Sequence, residues 1–181
     1  MSEDIDLLAH GHGWEVVFAQ DKDFEKERGA EVNWKIREDA VLGYLESYLT
    51  DVCCFVVVGS EPEFIDTTAQ EVELKLPGKV LTVGELLDNM QRAADPRALA
   101  RALVESGFGA PVTFDADFFH VFEEACTQHP VHNVRSIAIA SIAYVEWPEF
   151  LPLLRSVEAT DTHESVRARA AHVRRAYEAA Q

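Results

Sequence analysis

Five side chains of ligand type fall within thirteen residues: His120, Glu124, Cys126, His129 and His132. Imidazole, carboxylate and thiolate are the groups that hold zinc or iron, so metal chemistry is the first possibility to weigh. His120 and Glu124, four residues apart, share a face of any helix that contains them. Neither C-x-x-C nor H-E-x-x-H occurs, however, and His129 and His132 flank Pro130 in a stretch that reads as a turn. The cluster implies no metal and no cofactor. A metal-binding or hydrolytic enzyme using His120, Glu124, His129 and His132 is the catalytic alternative. His10-Gly11-His12 reads as part of a loose start rather than a site.

Nucleophilic chemistry has little to build on. No Gly-x-Ser-x-Gly elbow is present; Gly59-Ser60 follows an apolar run, but Pro62 is expected to prevent the helix an elbow needs. Cys53, Cys54 and Cys126 lack the cationic or helix-start setting that favours thiolate, and three cysteines make no disulfide framework. Gly107-Phe108-Gly109 reads as a connector, not a phosphate loop. No catalytic residue is expected.

Charge points instead to binding. The chain carries 32 acidic and 16 basic residues, a net charge of −16. Residues 1–75 hold 18 acidic and 6 basic side chains, net −12; the remainder holds 14 and 10, net −4. Such a surface repels nucleic acid and anionic lipid and attracts a basic protein. The candidate contact residues are Asp21, Asp23, Glu25, Glu27, Glu61, Glu63 and Asp66, with Glu31, Glu71 and Glu73 near them in sequence. If a sheet gathers them, they form one negative face. Of Arg167, Arg169, Arg174 and Arg175, some are expected to pair with acidic side chains within the fold.

The elements that position these groups fall into two parts. Residues 1–78 read as a small α/β subdomain of order β-α-β-β. Trp14–Ala19 is strand-like, and 20–30 is a loop or frayed helix. Val32–Thr50 carries Trp34, Val41, Leu45 and Tyr48 at near-heptad spacing and reads as a helix. Val52–Val58 is wholly apolar and reads as a central strand covered on both faces. Glu71–Leu76 alternates apolar and charged residues like a half-buried strand. Pro77-Gly78 turns the chain near the boundary, although the two parts could share one core.

Residues 79–181 read as helical. Thr82-x-x-Glu85 is a capping box, Asp95-Pro96 opens a helix that Gly107 can end, and four further helices follow: Asp115–Thr127, Val131–Val145, Glu149–Glu158 and Glu164–Ala179. The last four echo one another at an offset of 32 residues, with Val134-Arg135 repeated as Val166-Arg167, Phe118 as Phe150, Val121 as Leu153, Phe122 as Leu154 and Ala138-Ile139 as Ala170-Ala171. On Asp161 and Val166-Arg167 at the right spacing, about residues 115–180 resemble a HEAT repeat. In that family an aspartate and an arginine tie neighbouring helix pairs together. The earlier copy departs from the pattern: His129 stands where the aspartate belongs, and no proline opens its first helix.

The expected fold class is therefore α+β, a small sheet followed by an antiparallel array of helical hairpins. The expected function is a non-catalytic acidic module for a basic protein partner, in its sharper form an immunity-type inhibitor; a structural subunit of a larger assembly is another alternative. No nucleic acid and no membrane partner is expected. The acidic opening Ser2-Glu3-Asp4-Ile5-Asp6 does not read as a signal peptide, and with the unpaired cysteines this suggests the cytoplasm.

Overall fold

A computed structural model describes residues 3–75 and 80–179, so the expected Pro77-Gly78 turn lies outside the described residues. The fold is α+β and divides into two compact units, residues 1–80 and 81–181.

In the first unit, α1 (Glu3–His12) precedes four antiparallel strands in the order β1-β2-β3-β4: Glu15–Gln20, Ala30–Arg37, Ala40–Glu46 and Cys53–Gly59. Helix α2 (Pro62–Lys75) follows. Alternation along the strands sends Val32, Trp34, Leu42 and Tyr44 to one face. There they pack with Phe55, Val57, Ile5 and Ala9 of α1, and Val72 of α2. Trp34 is 2% exposed and anchors this core.

Four expectations are corrected here. Val32–Thr50 is not a helix but the β2–β3 hairpin, closed by a tight turn at Glu38-Asp39. Its apolar residues alternate as Val32, Trp34, Ile36 and Ala40, Leu42, Tyr44, and pairing with neighbouring strands satisfies the backbone. Glu71–Leu76 is not a strand, because residues 71–75 are the last turns of α2, where Val72 is buried and Leu74 is 84% exposed. The order β-α-β-β is therefore replaced by α-β-β-β-β-α. Val52–Val58 does contain a strand, but β4 lies at the sheet's edge, with Val56 and Val58 exposed.

The second unit is all helix: α3 (Val83–Gln91), α4 (Pro96–Gly109), α5 (Ala116–Thr127), α6 (His132–Ile142), α7 (Phe150–Thr160) and α8 (Glu164–Ala179). Asp95 caps α4 through the N–H groups of Arg97 and Ala98, Asp115 caps α5, and the Thr82–Glu85 box closes the start of α3. These are orphan donors that would otherwise face water unpaired. Each odd helix packs on the next even one, giving three hairpins. The even helices pack in a row, α4 on α6 and α6 on α8, while α3, α5 and α7 neighbour one another in turn. The sequence echo marks only the last two hairpins; α3–α4 is a third.

Gly107 does not end α4, which runs on to Gly109. It lies inside the helix where α4 meets α6: a Cβ there would sit 2.6 Å from the backbone oxygen of Ser141. Gly107→Ala is expected to destabilise the helical unit by about 1–3 kcal/mol through overpacking. Gly84, in α3 with open space beside it, is the control. Gly84→Ala is expected to stabilise by up to about 1 kcal/mol, because a helical glycine carries an entropic cost. Urea titration of both variants checks the pair.

Candidate docking surfaces and the buried arginine tie

Phe118, Phe122, Val134, Phe150, Leu154 and Val166 occupy one continuous core of the helical unit, with Phe118 and Phe150, and Phe122 and Leu154, all fully buried. Val134 and Val166 are 3% and 0% exposed. The residues matched at the 32-residue offset thus face the same interior.

The polar residues of the echo join the hairpins. Arg135 on α6 grips Asp161, at the α7–α8 turn, with both prongs of its guanidinium: Nε donates to Oδ2 at 2.7 Å and Nη2 to Oδ1 at 2.9 Å. Its Nη1 donates to the carbonyl of His129 at 2.8 Å. The Asp161 side chain is 5% exposed and that of Arg135 10%. The Arg135 hydrogen bonds hold the Asp161 carboxyl below its ordinary range; burial opposes this and the His163 N–H supports it. Arg167 repeats one part of the pattern, donating from Nη1 to the Asp161 carbonyl at 2.8 Å, six residues back as in the earlier hairpin.

His129 replaces half of what the aspartate does. Asp161 Oδ1 accepts from the N–H of His163 at 2.7 Å, two residues on, and His129 Nδ1 accepts from the N–H of Val131 at 3.1 Å in the same way. A ring nitrogen can close that turn but cannot hold a guanidinium. At the same offset one hairpin earlier the arginine position is Leu103, fully buried, so there is no guanidinium to hold.

The histidine cluster does not converge. His120 lies beside Glu123 and Glu124 on the exposed side of α5, Cys126 is fully buried, His129 closes its turn, and the His132 ring stacks on His163 with centroids 3.8 Å apart. Among the described residues no three His, Cys, Asp or Glu side chains are placed to share a metal ion. Burial pushes the Cys126 thiol well up and the Cys54 thiol to about 12, which opposes thiolate chemistry. A helix does follow Gly59-Ser60, contrary to expectation, because Pro62 occupies its first turn, where its missing N–H costs nothing. The Ser60 hydroxyl donates to the Asp39 carboxylate, itself held by Arg37. That carboxylate is fully ionised near neutrality, kept far down by Arg37 and then by Ser60.

The acidic candidates fall at the two ends of the sheet rather than on one face. Asp21, Asp23, Glu25 and Glu27 lie in the β1–β2 loop, at the end where Gln20 pairs with Glu31 and Glu46 with Cys53. Glu61, Glu63 and Asp66 lie at the other end, where β4 finishes at Gly59 and α2 begins. Some are already neutralised: Asp23 by Lys26 and Arg28, Glu61 by Arg37. Among the described residues Asp21, Glu25, Glu63 and Asp66 are exposed and have no cationic partner. Of the arginines, Arg174 pairs with Glu158 and Glu178 and Arg169 reaches Ser136. Arg175 is exposed.

No family model, curated protein or solved structure matches the chain. Its own geometry therefore carries the functional reading. Periodicity missed one surface, the open face of β3 and β4. Its signal was in plain view: the unbroken apolar run of β4 has too many apolar side chains for the one face that α1 and α2 cover. No described helix is long and apolar enough to cross a membrane.

Proposed function

We propose that the chain is a non-catalytic binding module for a basic protein. Its C-terminal hairpins act as a rigid array of the HEAT kind, and its N-terminal unit is the contact region. The observation that carries this reading is the group of exposed, unpaired carboxylates at the two ends of the sheet, Asp21 and Glu25 at one and Glu63 and Asp66 at the other, on a segment of net charge −12. Carboxylates left unpaired in the free protein lose little on meeting lysine or arginine and speed the encounter. An inhibitor of the immunity type is one protein of this description, neutralising a basic target by covering it.

The test is reversal of charge. The variant Asp21→Lys, Glu25→Lys, Glu63→Lys, Asp66→Lys changes only exposed positions and is expected to keep the thermal midpoint. Immobilised full chain should retain a basic protein from lysate of its source cells at low salt, and the variant should bind that protein at least about tenfold more weakly. Equal binding by both forms would remove these carboxylates from the interface.

A further inference from the structure

The edge strand β4 is paired with β3 on one side only. It is seven residues long, carries no charge and no proline, and keeps register with β3 without a bulge from Cys53 to Gly59. Natural sheets usually protect an edge with lysine, proline or a bulge, and β4 has none of these. Among the described residues no hydrogen bond reaches its outer backbone edge. Cys54, Val56 and Val58 stand opposite Leu45, Gly43 and Val41, on the face away from the α1–α2 core. Val56 leans over Gly43, where a Cβ would come within 3.1 Å of its Cγ1. Val56 is 44% and Val58 60% exposed, so an apolar strip runs along an open edge.

Charge selects the occupant. Lys22 neutralises Glu46 near one end of β4, and Arg37 holds Asp39 and Glu61 near the other, where Glu63 and Asp66 are exposed and have no cationic partner among the described residues. We infer that β4 accepts an extended, basic segment of the partner protein as a fifth strand. That segment alternates apolar residues, which cover Val56 and Val58, with lysine or arginine, which meet Glu63 and Asp66. This rests on the basic-partner reading and deepens it. Main-chain hydrogen bonds supply the affinity, and the apolar and acidic rows select the sequence.

A synthetic nine-residue strand alternating valine with lysine and arginine is the probe, titrated onto the full chain by fluorescence anisotropy. Its twin, N-methylated at alternate residues, keeps the charge but loses the amide donors along one edge. The unmodified peptide is expected to bind at least about tenfold more tightly than its twin and to slow exchange of alternate β4 amides. Val56→Asn with Val58→Asn is expected to weaken it by a similar factor at unchanged thermal midpoint. Equal binding of peptide and twin would overturn strand addition while leaving a charge-held basic partner standing. Failure of both peptides, with the captured basic protein still bound, would also overturn it. Failure of both peptides and of that protein would bring down the wider reading too. A dimer in light scattering that Val56→Asn dissociates would show that a second copy covers the strip, against the proposal.

Discussion

Arg135→Ala is expected to destabilise the helical unit by about 3–5 kcal/mol, among the largest effects of any single change. The cost comes from what is left behind. The Asp161 side chain is 5% exposed, and without its guanidinium it would be a buried carboxylate with only the His163 N–H for support. Asp161→Ala should cost a similar amount for the mirror-image reason. The double variant Arg135→Met, Asp161→Leu removes both charges and should recover most of the loss, since a buried pair replaced by apolar side chains is often near neutral. Urea unfolding of the four proteins, with the Arg135→Ala, Asp161→Ala double variant added to complete the cycle, gives the coupling. Acid adds an independent check. Asp161 titrates lower in the folded chain than in the unfolded one. The pair's contribution is therefore fully present above the ordinary carboxyl range of about pH 4 and is lost as pH falls through the folded value. Between about pH 5 and pH 2 the native helical unit should lose more stability than the Arg135→Met, Asp161→Leu variant. Parallel curves would mean that the tie contributes nothing.

Phe150→Ala should cost about 3–5 kcal/mol by a different route. Phe150 is fully buried where two hairpins meet. Its ring lies 5.8 Å from Phe122 edge-on, 5.0 Å from Phe119 and 5.7 Å from Trp147, centroid to centroid. Truncation leaves a void among large, close-packed rings that collapse poorly into it. The equivalent change one hairpin earlier, Phe118→Ala, should cost a comparable amount, because Phe118 is also fully buried in the same core. A cost below about 1 kcal/mol at either position would show that the matched residues do not serve the same packing role.

The helical half was legible because its signals agree. Asp95-Pro96, Thr82 with Glu85, and Asp115 mark helix starts by capping chemistry that works locally, and the structure uses each of them. Val134 and Val166 were recognisable as equivalent because both are valines packed in the same core, 3% and 0% exposed. The third hairpin was hidden because its tie is missing: Leu103 replaces the arginine. The sheet was harder to read. Trp34, Val41, Leu45 and Tyr48 fit a helical spacing by coincidence, while the alternation through Trp34, Leu42 and Tyr44 depends on strands that pair across the sheet. Glu71–Lys75 failed for the opposite reason. A short alternating stretch looks like a strand, yet Thr68 and Val72, four residues apart, are the buried positions of one helical face. The placement of the carboxylates could not be read locally at all, since only the register of β1 through β4 sends Asp21 and Glu63 to opposite ends.

The most direct measurement is the affinity of the full chain for the basic protein it retains, followed by titration calorimetry from about 50 mM to about 500 mM sodium chloride. Binding through the exposed carboxylates should weaken by at least about tenfold across that range, and the four-lysine variant should start weaker and change less. An affinity indifferent to salt, or a retained protein that is itself acidic, would contradict a charge-selected partner.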